Sequence, residues 1–185
     1  MSFSQPTDQP TGQSTPHRLF ATAQIPNLAG LARTCEIFGA TELVLSDKKV
    51  QDDDMFQRIS VTANKWVPLS YVGQPQLEAF LRRKKQEGFT VLALEQTAQS
   101  VCISQFTFPE KVVLLLGKEK EGVPVQFLQL VDHCIEIPQF GIIRSLNVHV
   151  SGAILIWEYT RQQMVRQTIG AAPTPTGLPE AADAQ

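Results

Sequence analysis

The apolar residues of this chain follow two rhythms. RLFATAQI, ELVLSD and PLSYV have the short apolar patterning of strands, and TVLALEQ, KVVLLLG and HCIEIP are near-continuous runs of the kind buried on both faces of a sheet. Between them, apolar positions recur at helical spacing. Asn27 is read as the cap of a helix that runs through Phe38 and is closed by Gly39. A helical segment is expected near 52–64. QPQLEAFLRRKKQEG reads as an amphipathic helix with Gly88 past its end, and VPVQFLQLVD as a helix with Pro124 near its start. A final helix opens near Ser145. Strand alternating with helix predicts an α/β fold with a mostly parallel sheet flanked by helices. Ligands of such sheets sit beyond the carboxyl ends of the strands, here ALEQT, LLGKEKEG and IPQFG.

Two helices carry more than a fold signal. In the first, Leu28, Leu31, Ala32, Cys35 and Phe38 form one apolar stripe, while Gly30, Arg33 and Ile37 share the opposite side. A mid-helix glycine costs about 1 kcal/mol relative to alanine, which is easier to tolerate where a group must approach the backbone closely. Taken alone, Arg33 reads as a solvated surface arginine. In the last helix, from Leu146 to Trp157, the only polar side chains are Asn147, His149 and Ser151. A helix so apolar all round is covered on more than one side, and Ser151, Gly152 and Ala153 permit close packing. Ser145 reads as its N-cap, which leaves Arg144 and Asn147 unexplained.

Composition adds limits. The chain has 185 residues, 43% of them apolar and 18% charged, which suits one globular domain at 17–168, with disordered arms at 1–16 and 169–185. The net charge of -2 supplies no general attraction to nucleic acid, so any RNA contact must be local. Cys35, Cys102 and Cys134 are odd in number and lack C-x-x-C spacing. They point to a reducing compartment, the cytoplasm or the nucleus, and away from a disulfide frame or a zinc site. No signal peptide or run of transmembrane length is visible. His17, His133 and His149 are scattered, and no metal is assigned. GKEKEG has the glycine spacing of a phosphate loop, but Val123 and Pro124 stand where Lys and Ser/Thr would be required. RRKK at 82–85 reads as a solvated helix face.

NLAGLART, GKEKEGV and IPQFGIIRSLNV, in this order and spacing, resemble the three signature motifs of the SpoU (TrmH-like) RNA 2'-O-methyltransferases of the SPOUT superfamily. The resemblance covers about residues 18 to 165. IIRSLNVHVSGAILIWEYTRQQ resembles most the carboxyl-terminal domain of the eukaryotic TAR-RNA-binding-protein-like branch, whose relatives methylate guanosine 18 of tRNA. The resemblance implies a carboxyl-terminal trefoil knot, S-adenosylmethionine as cofactor, and a homodimer with tRNA as substrate. A separate RNA-binding domain or subunit is a further candidate partner. By motif, Gly117, Ile137 and Leu146 would contact the cofactor, with Leu94 and Glu95 at the first loop. Arg33 would bind phosphate and stabilise the developing alkoxide. Asn27 and Asn147 would hold loop and substrate, and Glu119 and Ser145 would orient the arginine or the ribose. Arg33, Arg144 and Lys118 would meet RNA. Lys118 departs from the asparagine usual in the second motif. The alternative is a catalytically silent RNA-binding or dimerisation module of the same fold.

Overall fold

The computed structural model describes residues 17–118, 121–142 and 145–170. Of the expected arms, residues 1–16 and 171–185 lie outside the described residues, and so do Glu119 and Arg144. Among the described residues, seven parallel strands form one sheet in the order β3-β2-β1-β6-β4-β7-β5. They are β1 (His17–Ala21), β2 (Glu42–Leu45), β3 (Leu69–Tyr71), β4 (Thr90–Leu94), β5 (Val101–Cys102), β6 (Val112–Leu116) and β7 (His133–Glu136). The sheet is centred on β6, which lies between β1 and β4; His17 stands opposite Val112 and Thr90 also stands opposite Val112. All five residues of β6 are buried. Its side chains alternate: Val112, Leu114 and Leu116 enter one core, and Val113 and Leu115 the other.

Helices cover both faces. α1 (Ile25–Ile37), α2 (Asp54–Ser60) and α5 (Val148–Gly170) lie on one side, contributing Leu28, Leu31, Phe56, Leu155 and Tyr159 to its core. α3 (Gln74–Gln86) and α4 (Val125–Leu128) lie on the other, through Leu77, Phe80, Leu81 and Phe127. The predicted stripe of α1 holds: Leu28, Leu31, Ala32 and Cys35 are buried, and Phe38 packs against the same core. Burial pushes the Cys35 thiol up to about 12, so that cysteine behaves as an apolar side chain.

Several expected boundaries move. Asn27 is not a cap: α1 starts at Ile25 behind Gln24, with Pro26 in its first turn, where the missing N–H of proline costs nothing. The segment 52–64 is broken into two 3-10 turns around α2, which Asp53 caps by accepting from Met55 and Phe56 N–H. The expected helix VPVQFLQLVD is one turn, Val125–Leu128. The chain then turns so that an Asp132 carboxylate oxygen accepts from Val91 N–H at 2.8 Å and the other pairs with Lys85. RRKK is only partly a solvated face: Arg82 and Arg83 are exposed, whereas Lys84 is buried against Glu87. α5 runs to Gly170, two residues into the expected tail. It opens at Val148, and its cap is Asn147, not Ser145: Asn147 Oδ1 accepts from His149 N–H at 2.9 Å and Val150 N–H at 3.3 Å. Among the described residues no helix is long and apolar enough to cross a membrane.

Gly30 shows what its missing Cβ makes room for. A Cβ there would lie 2.4 Å from His149 Nδ1, so the imidazole of α5 rests on the backbone of α1. Gly152 plays the reciprocal part, since its Cβ would meet Leu31 and Leu116 at 2.7 and 2.8 Å. We expect Gly30→Ala to lower the thermal midpoint, because overpacking of about 1–3 kcal/mol exceeds the helix-propensity gain of about 1 kcal/mol. In a His149→Ala background the same substitution should be neutral or stabilising, as read by circular dichroism melts. Equal losses in both backgrounds would show that the ring is not what Gly30 accommodates.

Candidate active site

Three chain segments converge at the carboxyl ends of β4, β6 and β7. They are Leu94–Gln96 at the end of β4, the Gly117–Gly122 turn after β6, and the stretch from Ile137 into the first turn of α5. Together they line a cavity of about 310 Å³. Leu94, Leu116, Ile137 and Leu146 give it apolar walls, and Glu136, Gln139, Ser145 and Ser151 add polar groups. Leu146 remains 42% exposed, an apolar side chain at an open mouth. A flat apolar ring with a polar, charged tail fits this mixture.

The two ends of the Gly117–Gly122 turn are tightly joined. Lys118 and Gly122 exchange two backbone hydrogen bonds, of 3.2 and 2.9 Å. A Cβ on Gly117 would lie 2.2 Å from the Gly122 carbonyl carbon, so no side chain fits there. Gly122 has φ +65, in the left-handed region that favours glycine. Glu95 braces the turn from below: its Oε2 accepts from Val123 N–H at 3.0 Å. Lys118 Nζ is held 3.0 Å from Glu121, an exposed pair that is worth at most about 1 kcal/mol and readily exchanged.

The predicted residues therefore separate into two groups. Leu94, Glu95, Gly117, Lys118, Ile137, Ser145 and Leu146 surround the cavity. Asn27 and Asn147 form a second group, joined by a hydrogen bond of 2.9 Å from Asn147 Nδ2 to Asn27 Oδ1, which ties the opening turns of α1 and α5 together. Arg33 lies one turn beyond Gly30, exposed, and among the described residues no carboxylate pairs with it. No side chain of α1, Arg33 included, lines the cavity.

His149 is the residue beside Arg33 that sequence reasoning misses. Its Nε2 stands 3.2 Å from Thr34 Oγ1, whose own proton goes to Gly30 O at 3.1 Å. The hydroxyl oxygen is thus the acceptor for an Nε2–H. Burial, and then the charge of Arg33, hold the His149 pKa below the ordinary histidine value. Both causes favour the uncharged imidazole, so the fixed positive charge at this place is that of Arg33. The sequence signal is the pairing of a lone mid-helix glycine with a histidine in an apolar helix, two features far apart in the chain.

The sequence profile of the SpoU rRNA Methylase family matches residues 19–157. The mouse tRNA (guanosine(18)-2'-O)-methyltransferase TARBP1 is 55% identical over 150 residues, 81% of this chain and 9% of that protein. A tRNA (guanosine(18)-2'-O)-methyltransferase of Thermus thermophilus is 32% identical over 75% of this chain and 70% of its own length. Among solved structures, the AdoMet-bound rRNA methyltransferase of Sinorhizobium meliloti superposes with a TM-score of 0.69 at 25% identity, covering 83% of this chain and 58% of that one. The chain spans about a tenth of the length of the mouse relative. With the family profile spanning three quarters of the sequence, and the second and third motif segments lining one cavity at the mouth of a parallel sheet, this chain belongs to the SpoU rRNA methylase family.

Proposed function

We propose that this chain transfers a methyl group from S-adenosylmethionine to the ribose 2'-hydroxyl of guanosine 18 in tRNA. The observation that carries the proposal is the convergence of the second and third motif segments, with the loop after β4, on the cavity at the ends of β4, β6 and β7. The names of the mouse and Thermus relatives support the substrate, and the AdoMet-bound Sinorhizobium protein supports the cofactor. When bound, the cofactor supplies a methyl group already activated by its sulfonium, so the protein chiefly supplies alignment.

In this reading Ile137 and Leu146 sandwich the adenine, while backbone groups at Gly117 and around Leu94 and Glu95 meet its edge and the ribose. Arg33 binds substrate phosphate and stabilises the developing alkoxide, a task suited to a guanidinium, which with a pKa above about 12 is a poor base. Asn147 is at once helix cap and partner of Asn27, so the pair fixes where Arg33 stands relative to the mouth of α5. Ser145, which precedes the helix without capping it, lines the cavity and orients the ribose with Glu119. Arg144 and Lys118 add local RNA contacts, and the compartment is a reducing one. The reading also includes the trefoil knot. It is supported by the return of the chain after β7 across the end of β6, where Leu146 and Val148 line the same cavity as Gly117 and Gly122.

The active unit is a homodimer. Val150, Trp157 and Met164, spaced by seven along α5, are 45%, 47% and 55% exposed, and Ile37 of α1 is 65% exposed near Phe38, which packs on Trp157 at 5.6 Å. Such a stripe calls for an apolar partner, and a second copy supplies the same stripe. Because Arg33 does not line the cavity of its own chain, the dimer would bring it to the cavity of the other copy. Tritium transfer from labelled cofactor to total tRNA, with the methylated nucleotide mapped, tests the reaction. Sedimentation at micromolar concentration tests the assembly, and Trp157→Glu should convert dimer to monomer with loss of transfer. A fully active monomer would overturn the dimer, and methylation elsewhere than guanosine 18 the substrate.

A further inference from the structure

A second cavity, of about 300 Å³, lies behind the Gly117–Gly122 turn. It shares that turn with the first cavity but opens on the other face of the sheet. Its floor is Phe20, Leu77, Leu115 and Phe127, all from the core under α3 and α4. Its polar members are Thr22 after β1, Ser46 after β2, Gln74 at the start of α3, and Glu121 on the shared turn. The position is the point where the chain reverses its direction of travel across the sheet, beyond the ends of β1 and β6, where open α/β sheets bind their ligands. None of the catalytic roles described above uses it.

We infer that this cavity seats the target nucleobase, a purine with guanine's donor edge, while its ribose lies over the Gly117–Gly122 turn toward the cofactor cavity. The inference rests on the proposed methyl transfer and adds the site that chooses the base. An apolar slot of buried side chains holds a planar ring by its faces, and hydroxyl, amide and carboxylate groups at the rim read its edge. Glu121 makes the choice specific. A carboxylate only accepts hydrogen bonds; guanine offers it N1–H and the 2-amino group together, whereas adenine presents a bare N1 acceptor that it repels. The Lys118 pair with Glu121 is exposed at 50% and 66%, so solvent screening leaves the carboxylate ready to change partner. The cavity also faces away from the α1–α5 stripe, so dimerisation through that stripe leaves it open to RNA.

The test uses the full chain with tRNA transcripts carrying guanosine, inosine or adenosine at position 18. Ser46 lines only the second cavity, so Ser46→Phe should fill it, leave cofactor affinity by calorimetry within about twofold, and lower kcat/KM by about 10², the scale of an ångström-sized misplacement. The parent chain should use inosine about tenfold less well than guanosine, as expected for loss of a charge-assisted hydrogen bond, and Glu121→Gln should shrink that ratio. Independently of turnover, tRNA with 6-thioguanosine at position 18 should photo-cross-link to Ser46, Gln74 or Leu77. Wild-type kcat/KM in Ser46→Phe, or cross-links only to other residues, would overturn the base seat. A parent chain that methylates no tRNA yet cross-links at those residues would sink the proposed reaction and leave the seat standing.

Discussion

Arg33→Ala will bind S-adenosylmethionine as tightly as the parent chain and transfer methyl groups about 10²–10³ times more slowly, the usual cost of losing one aligned donor to a developing negative charge. The stability loss should be small. Arg33 is exposed, opposite the buried stripe of α1, so truncation opens no cavity. Its removal also lifts a positive charge from His149, which should titrate closer to its ordinary value. Arg33→Lys should recover little, because an ammonium cannot reproduce the planar fork. Single-turnover rates at saturating cofactor and tRNA make the comparison. A rate within about threefold of wild type, far short of the loss expected for an aligned donor, would reduce Arg33 to a surface residue.

Leu146→Arg will lose cofactor binding by at least about 10²-fold, because it places an unpaired charge against the apolar walls formed by Leu94, Leu116 and Ile137. Leu146 is 42% exposed, so the fold should survive, and calorimetry reads the loss directly. The two substitutions together ask a sharper question. In a symmetric dimer with the arginine supplied across the interface, coexpression of the two inactive chains should restore about a quarter of wild-type activity, since half the dimers are mixed and each has one competent site. If Arg33 serves its own cavity, the mixture stays as inactive as its parents. That result would remove the shared site without touching the cofactor pocket.

The long strands and the stripe of α1 are legible in the sequence because burial on a sheet imposes period two or continuous apolarity, and burial of one helix face imposes period 3.6. β5, two residues long, carries too little pattern to see. The helix starts are misplaced by sequence because local preference cannot rank two good caps. Ser145 and Asn147 both suit an N-cap, and tertiary structure selects Asn147, leaving Ser145 free to line the cavity. Asn27 suits a cap by residue type, but Pro26 beside it already marks the first turn. The second and third motif loops are visible through resemblance, and their convergence needs the sheet order. Gly30 raises the right question, a close approach, but its answer, His149, lies on another helix. The second cavity is invisible in the sequence because Phe20, Ser46, Leu77 and Phe127 come from four separate segments.

The central place of β6 has a consequence for how the chain is made. β1 is made before β2, β3 and β4, yet one of its two neighbours, β6, begins only at Val112. Until then β1 and β4 each present an unpaired edge, and Leu19, Phe20, Leu92 and Ala93 lack the strand that lies between them. Contacts of such long sequence separation fold slowly, and an open edge of apolar strand invites pairing with another chain. Synthesis through the end of β6 therefore joins the two halves of the sheet, while β4 keeps one open edge until β7 follows, and chaperone dependence should be concentrated in the interval before β6.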